Sequence, residues 1–173
     1  MITYYVPNKN DILAGIVDLV MREIELPSAG ADWKVAIRKS AISAHDVLLR
    51  HPWACSLMMA PIGDSAARLR WMDAVLRCLR EAGFSTELTH HAYHALDSHI
   101  TGFTLWEVNV PFTREELADI GATFLQDLPI DEYPYLAEHV QWHLKASKHD
   151  DEGEFEFGLG LILDGLERMR DRT

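Results

Sequence analysis

The chain has 173 residues and a mass of 19.7 kDa, with 48% hydrophobic and 25% charged residues, a balance that builds one sizeable core and excludes a disordered or fibrous chain. Sixteen Lys and Arg stand against 27 Asp and Glu, and the net charge of −11 excludes broad nucleic-acid binding, because phosphate affinity comes from basic side chains displacing counterions. No stretch approaches the roughly 18 to 20 uninterrupted apolar residues of a membrane span, and no basic segment with an apolar signal core opens the sequence, so a cytoplasmic protein without membrane contact is expected.

Apolar residues recur at helical spacing almost throughout, punctuated by caps and prolines, which predicts an all-α fold. Asn8 is placed to cap a first helix running to about Ile24, with Asp11 in its first turn and Ile12, Ile16, Leu19 and Val20 on the buried face. Pro27, Ser28 and Gly30 then break the chain. Asp32 caps the next helix, to about Arg50, and Pro52 opens a short apolar helix that ends before Pro61. Asp64 is the expected cap of a helix stopping at Gly83. A long helix from about Thr86 to Val108 spans roughly 35 Å and stops before Pro111. Thr113 and Glu116 have the spacing of a capping box and start a helix to about Leu128. Pro134 leads a seventh, ending near Lys148. The last begins after the acidic run from Asp150 to Glu156 and continues to about Arg170.

That final helix carries more apolar surface than one interface needs. Phe155, Leu159, Ile162, Leu166 and Met169 form one stripe, and Gly158, Leu161 and Gly165 lie on an adjacent face. A glycine inside a helix costs on the order of 1 kcal/mol relative to alanine, so Gly158 and Gly165 mark a close approach, either within one subunit or across a dimer. Contact with a partner is the preferred reading, with Gly158, Leu161, Ile162 and Gly165 in the dimer interface. The charge is also uneven. Up to residue 40 five basic residues balance five acidic ones, so the whole negative excess lies beyond that point. The two cysteines, Cys55 and Cys78, lack redox or zinc spacing and read as reduced thiols.

At this point the residues resemble a known family. The run from Phe155 to Glu167 resembles the final helix of the tetracycline-repressor-like (TetR) C-terminal domain. His51-Pro52-Trp53-Ala54, the Ala82-Gly83-Phe84-Ser85 junction, and Gly102-Phe103 with Trp106-Glu107 are similar to further family segments in the same order. The resemblance implies a helical ligand-sensing domain over residues 8–173 that dimerises through a four-helix bundle. Residues 1–7 resemble the end of the DNA-recognition helix, so Tyr4, Tyr5 and Lys9 correspond to a DNA-contacting remnant, and most of the helix-turn-helix head is expected to be missing from this chain. The implied function is that of a transcriptional regulator, a repressor, whose specific operator binding needs a complete head.

By position in that family, the ligand pocket is expected to be walled by Trp53, Met58, Met59, Trp71, Val75, His94, His99, Phe103 and Trp106, a mixture of apolar area and a few polar groups suited to an apolar or aromatic small molecule. Tetracycline-binding relatives hold magnesium with a histidine before the long helix. No histidine occurs between Pro52 and Thr89, so tetracycline is not the expected ligand, and no cofactor or metal is implied. The competing reading comes from the nine histidines: His90 and His94, with Asp97 and Thr101 continuing their face, and His139 with His143 have the i, i+4 spacing of metal ligands on helices. That pattern allows a metal-dependent bundle enzyme. A ligand-free dimeric module is the third alternative. No glycine-rich phosphate loop or nucleophile elbow is present, and the chain is expected not to be an enzyme.

Overall fold

The computed structural model describes residues 9–59, 65–110, 114–146 and 153–172, and all eight of its elements are helices: α1 (Lys9–Met21), α2 (Trp33–Arg50), α3 (Pro52–Met59), α4 (Ala66–Glu81), α5 (Thr86–Val108), α6 (Arg114–Asp127), α7 (Pro134–Ala146) and α8 (Glu154–Arg170). They form two compact units, one of α1 to α5 with α8, the other of α6 and α7.

Local chemistry fixes the helix ends. The Asp32 carboxylate accepts from the Lys34 and Val35 amides and starts α2. Ser65, not Asp64, caps α4: its hydroxyl accepts from Arg68 N, while Asp64 lies outside the described residues. Gly83, at φ +89°, ends α4 in a Schellman-type turn, with Phe84 N bonding to the Leu79 carbonyl and Gly83 N to that of Arg80. Ser85 then caps α5 through Leu88 N. The proposed caps Asn8 and Thr113 lie outside the described residues. Glu154 already belongs to α8, so that helix begins inside the acidic run, where negative side chains complement its amino-terminal dipole.

In the larger unit α5 is central, packing against α2, α3, α4 and α8, while α1 lies on α3 and α4. The core includes Leu48, Leu79, Phe84, Leu96, Leu159 and Leu163, all almost fully buried. Lys34 ties α2 to α8 by ion pairs of 2.6 and 2.7 Å to Asp164 and Glu167, and these two acids raise its pKa. In the smaller unit α6 and α7 pack on each other, and a side chain at Gly121 would crowd Leu144.

Two facial assignments change. In α1 the buried side chains are Val17, Val20 and Met21, with Ile24 just beyond its end, whereas Ile12, Ile16 and Leu19 are exposed. Both sides of this helix are apolar, so periodicity alone does not choose the inward one. In α8 the buried stripe is Phe155, Leu159, Leu163 and Leu166; Ile162 is only partly buried and Met169 is 53% exposed.

Candidate functional site

The residues expected to wall a pocket fall into separate neighbourhoods of the larger unit. On the α8 side of α5, His99, Phe103 and Trp106 form a chain of rings, with centroids 5.7 Å apart at each step. Phe155 of α8 and His45 of α2 complete this cluster. His45 stacks on Phe155 at 3.9 Å and His99 stacks on the same ring at 4.9 Å. His99 Nε2 lies 2.9 Å from the Phe155 carbonyl, to which it donates.

His45 has a defined proton arrangement. Thr104 Oγ1 donates to the Ile100 carbonyl at 2.6 Å, so its lone pair accepts from His45 Nδ1, 2.8 Å away. His45 Nε2 faces Glu107 Oε2 at 3.3 Å. Burial pushes the His45 pKa down; the charges of Glu107 and Asp46 oppose this and His99 reinforces it. The sequence reading missed His45 and Thr104. The available signal was the inward stripe of α2, on which His45 follows Ala41 and Ala44.

On the opposite side of α5, Trp71 and Val75 of α4 are buried in the core rather than open to a cavity. Trp71 Nε1 donates to Ser40 Oγ, which donates to the Glu25 carbonyl, so the indole is held by a buried chain of bonds. Its ring lies 6.4 Å from that of Tyr93. His94 is exposed, with its ring 5.5 Å from Tyr93 and 4.6 Å from His90. Asp97 is half-buried one turn further on. Burial raises its pKa, against the pull of Arg68 and His94; burial also lifts Tyr93 to about 12.

The remaining expected wall residues join neither neighbourhood fully. Trp53 is 45% exposed beside His51, and Met58 and Met59 lie on α3 with side chains outside the description. An open groove of about 310 Å³ lies elsewhere, lined among others by Gly30, Trp33, Arg77, Cys78 and Arg170, and by none of the expected wall residues. Cys55 and Cys78 are free thiols, each with its pKa raised by burial.

Of the proposed interface residues, Leu161 is 58% exposed and a side chain at Gly165 would meet nothing within 4 Å. Gly158 has a reason within the subunit: a Cβ there would lie 2.6 Å from His99 Cε1, so the glycine admits the histidine ring. Tyr4 and Tyr5 lie outside the described residues, and Lys9 is the first residue of α1, with its side chain undescribed. His90 with His94 and His139 with His143 do form ring pairs, the latter at 4.7 Å, but no three His, Cys, Asp or Glu side chains among the described residues are placed to hold a metal ion. Among the same residues no helix is long and apolar enough to cross a membrane.

Similarity to known proteins agrees with this architecture. The chain is 27% identical to the HTH-type transcriptional repressor DrrR1 of Streptomyces coeruleorubidus, aligning over 94% of its own length but 63% of that protein's, and so spans less than two thirds of that relative. It is 25% identical to the HTH-type transcriptional repressor Rv1353c of Mycobacterium tuberculosis, over 99% of this chain and 69% of that one. Its fold matches SCO7222, a TetR from Streptomyces coelicolor, with a TM-score of 0.79 at 23% identity, covering 96% of this chain and 80% of the other. It also matches the TetR family protein ActR from Streptomyces coelicolor in complex with actinorhodin, with a TM-score of 0.75 at 24% identity over 96% and 79%. Residues 26–170 match the family model of the tetracyclin repressor-like, C-terminal domain, and the chain belongs to that family.

Proposed function

We propose that this chain is the ligand-sensing and dimerisation part of a transcriptional repressor. The family match over residues 26–170 carries the reading, and relatives named as HTH-type transcriptional repressors support it. Sensing requires a ligand that favours one arrangement of the helices over another, since a ligand shifts an equilibrium only by its differential affinity. The ligand would lie in the larger unit beside α5, and the structurally similar ActR forms a complex with a small molecule, actinorhodin. A homodimer would cover the apolar side chains that α8 leaves exposed, Phe157, Leu161 and Met169, together with Trp106 of α5. DNA binding would belong to the whole regulator, through a helix-turn-helix head.

Light scattering at micromolar concentration, together with a reporter driven by the promoter next to the gene, tests this reading. A dimer and a rise in reporter output when the gene is removed are expected. A monomer whose removal leaves transcription unchanged would overturn the proposal.

A further inference from the structure

The contact between His45 and Glu107 changes character with a single proton. A carbonyl has no hydrogen to give, so the 2.6 Å bond from Thr104 Oγ1 to the Ile100 carbonyl uses the hydroxyl's one hydrogen. Thr104 therefore meets His45 Nδ1, 2.8 Å away, as an acceptor, and the ring hydrogen sits on Nδ1. A neutral imidazole carries only one such hydrogen, so its Nε2 presents a lone pair. Facing that lone pair at 3.3 Å is Glu107 Oε2, a carboxylate oxygen that also has no hydrogen. The contact repels without a proton on Nε2 and attracts with one.

The two partners differ in freedom. His45 is buried, stacked on Phe155 of α8 at 3.9 Å and held by Thr104. Glu107 belongs to the last turn of α5, where Trp106 and Asn109 are exposed too, and its side chain is 45% exposed. That turn is closed on itself by Asn109, whose N bonds to the Leu105 and Trp106 carbonyls at 3.2 and 3.1 Å and whose Nδ2 donates to the Leu105 carbonyl at 2.7 Å. Glu107 reaches from it to α2. The ring is thus the fixed member and the carboxylate the movable one. The charged groups acting on the ring are Glu107 and His99 of α5 and Asp46 of α2, while α8 meets it with the uncharged Phe155. Burial outweighs the two acids, so proton uptake falls below the ordinary imidazole value of 6.5.

We propose that His45 and Glu107 form a proton-operated latch between α2 and the carboxy-terminal turn of α5. With a proton taken from solvent onto Nε2, the carboxylate is drawn to the ring and the turn is fixed. Without it, Glu107 turns to solvent and water takes its place at Nε2. The turn carries Trp106, so acidification orders a stretch of surface that is looser at neutral pH. The latch works within one subunit and requires neither a ligand nor a dimer.

The test follows the His45 ring by carbon-13 NMR in the labelled full chain from about pH 8 to about pH 5. Over the same range, hydrogen exchange of the Leu105 to Asn109 amides is read as protection relative to the unstructured rate. Protection should rise at least about threefold, in step with the ring's proton uptake. Glu107→Gln keeps the shape and removes the charge; it should weaken proton binding by His45 at least about threefold and abolish the rise. Asp46→Asn, on α2, should weaken proton binding and leave the rise in place. Coincidence of the two curves in the unaltered chain gives a reading that needs no variant. Protection indifferent to the ring's titration, a rise that survives Glu107→Gln, or a His45 still neutral at about pH 5 would each overturn the latch.

Discussion

The two sides of α5 handle buried polarity in opposite ways. Towards α2 and α8, polar atoms close on one another: Thr104 bonds Ile100 and His45, His99 bonds the Phe155 carbonyl, and Phe155 lies between two imidazole rings. Along the row that meets Trp71 of α4 through Tyr93, Thr89 Oγ1 is buried without a hydrogen-bond partner, and the partly exposed Asp97 carboxylate receives no hydrogen bond from the described residues. The first arrangement makes a rigid joint, because every group that left water found a partner. The second leaves one buried hydroxyl unpaired and gives the carboxylate to water. One helix thus presents a closed face and a less satisfied one, and the distinction lies in satisfaction rather than polarity.

The strongest challenge to this contrast is to damage the closed side directly. Leu159→Ala removes a side chain with 0% exposure from the α8 stripe and should cost about 2–5 kcal/mol in urea unfolding. A loss well under about 1 kcal/mol would mean that the joint is loosely packed. Gly158→Ala should also destabilise, by about 1–3 kcal/mol, although alanine favours helix, because its Cβ would displace the His99 ring. Gly165→Ala gives the matching control: with open space around it the isolated subunit should gain up to about 1 kcal/mol, and weaker dimerisation would show that a partner helix occupies that space.

The pH dependence should separate the two sides by sign. His45 has its pKa lowered in the fold, so the unfolded chain binds the extra proton first. Stability from this group is complete above the unfolded value of 6.5 and is lost as the pH falls below it towards the folded value. The groups acting on the ring are Glu107 and His99 of α5 and Asp46 of α2 itself, and α8 contributes the uncharged Phe155. His45→Gln, which retains a donor for Thr104, should flatten that part of the profile in pH-stepped urea melts. Asp97 has its pKa raised, so its cost is absent below the unfolded value of 3.8 and grows as the pH rises through the folded value. Asp97→Asn should therefore match or exceed the original stability at pH 7, by no more than about 1 kcal/mol, and a marked loss would show that the carboxylate has a structural donor after all.

How much of this was legible beforehand follows from where each signal resides. Helix positions were legible because caps and prolines are local: Asp32, Pro52 and Gly83 act within a few residues, and α5 runs from Thr86 to Val108 as its flanking residues require. The inward face of α1 was not, since Ile12 and Val17 are equally apolar and only tertiary contact distinguishes them. Gly158 was noticed for the right reason, close approach, but a sequence does not say whether the approaching group is His99 of the same chain or a second helix. The expected ligand wall mixed two neighbourhoods because family position places residues on α4 and α5 without saying which side of α5 they share. Asp97 stood in a histidine row read for metal binding, and its lack of donors depends on what the fold leaves out.

Asp18 makes a different kind of connection. This residue of α1 accepts from Ser65 Oγ at 2.9 Å and from Ala67 N at 2.7 Å, so the start of α4 is capped from another helix, and its carboxyl, held also by Arg22, titrates at about 2. Mechanically this is a pin joint. Moving the carboxylate about 1 Å further along either bond would carry it beyond hydrogen-bonding range, whereas swinging α1 about the carboxylate leaves both bonds nearly unchanged. The first turn of α4 is thereby tied to α1 at Asp18, so that displacing either helix at this point must carry the other with it or break both bonds.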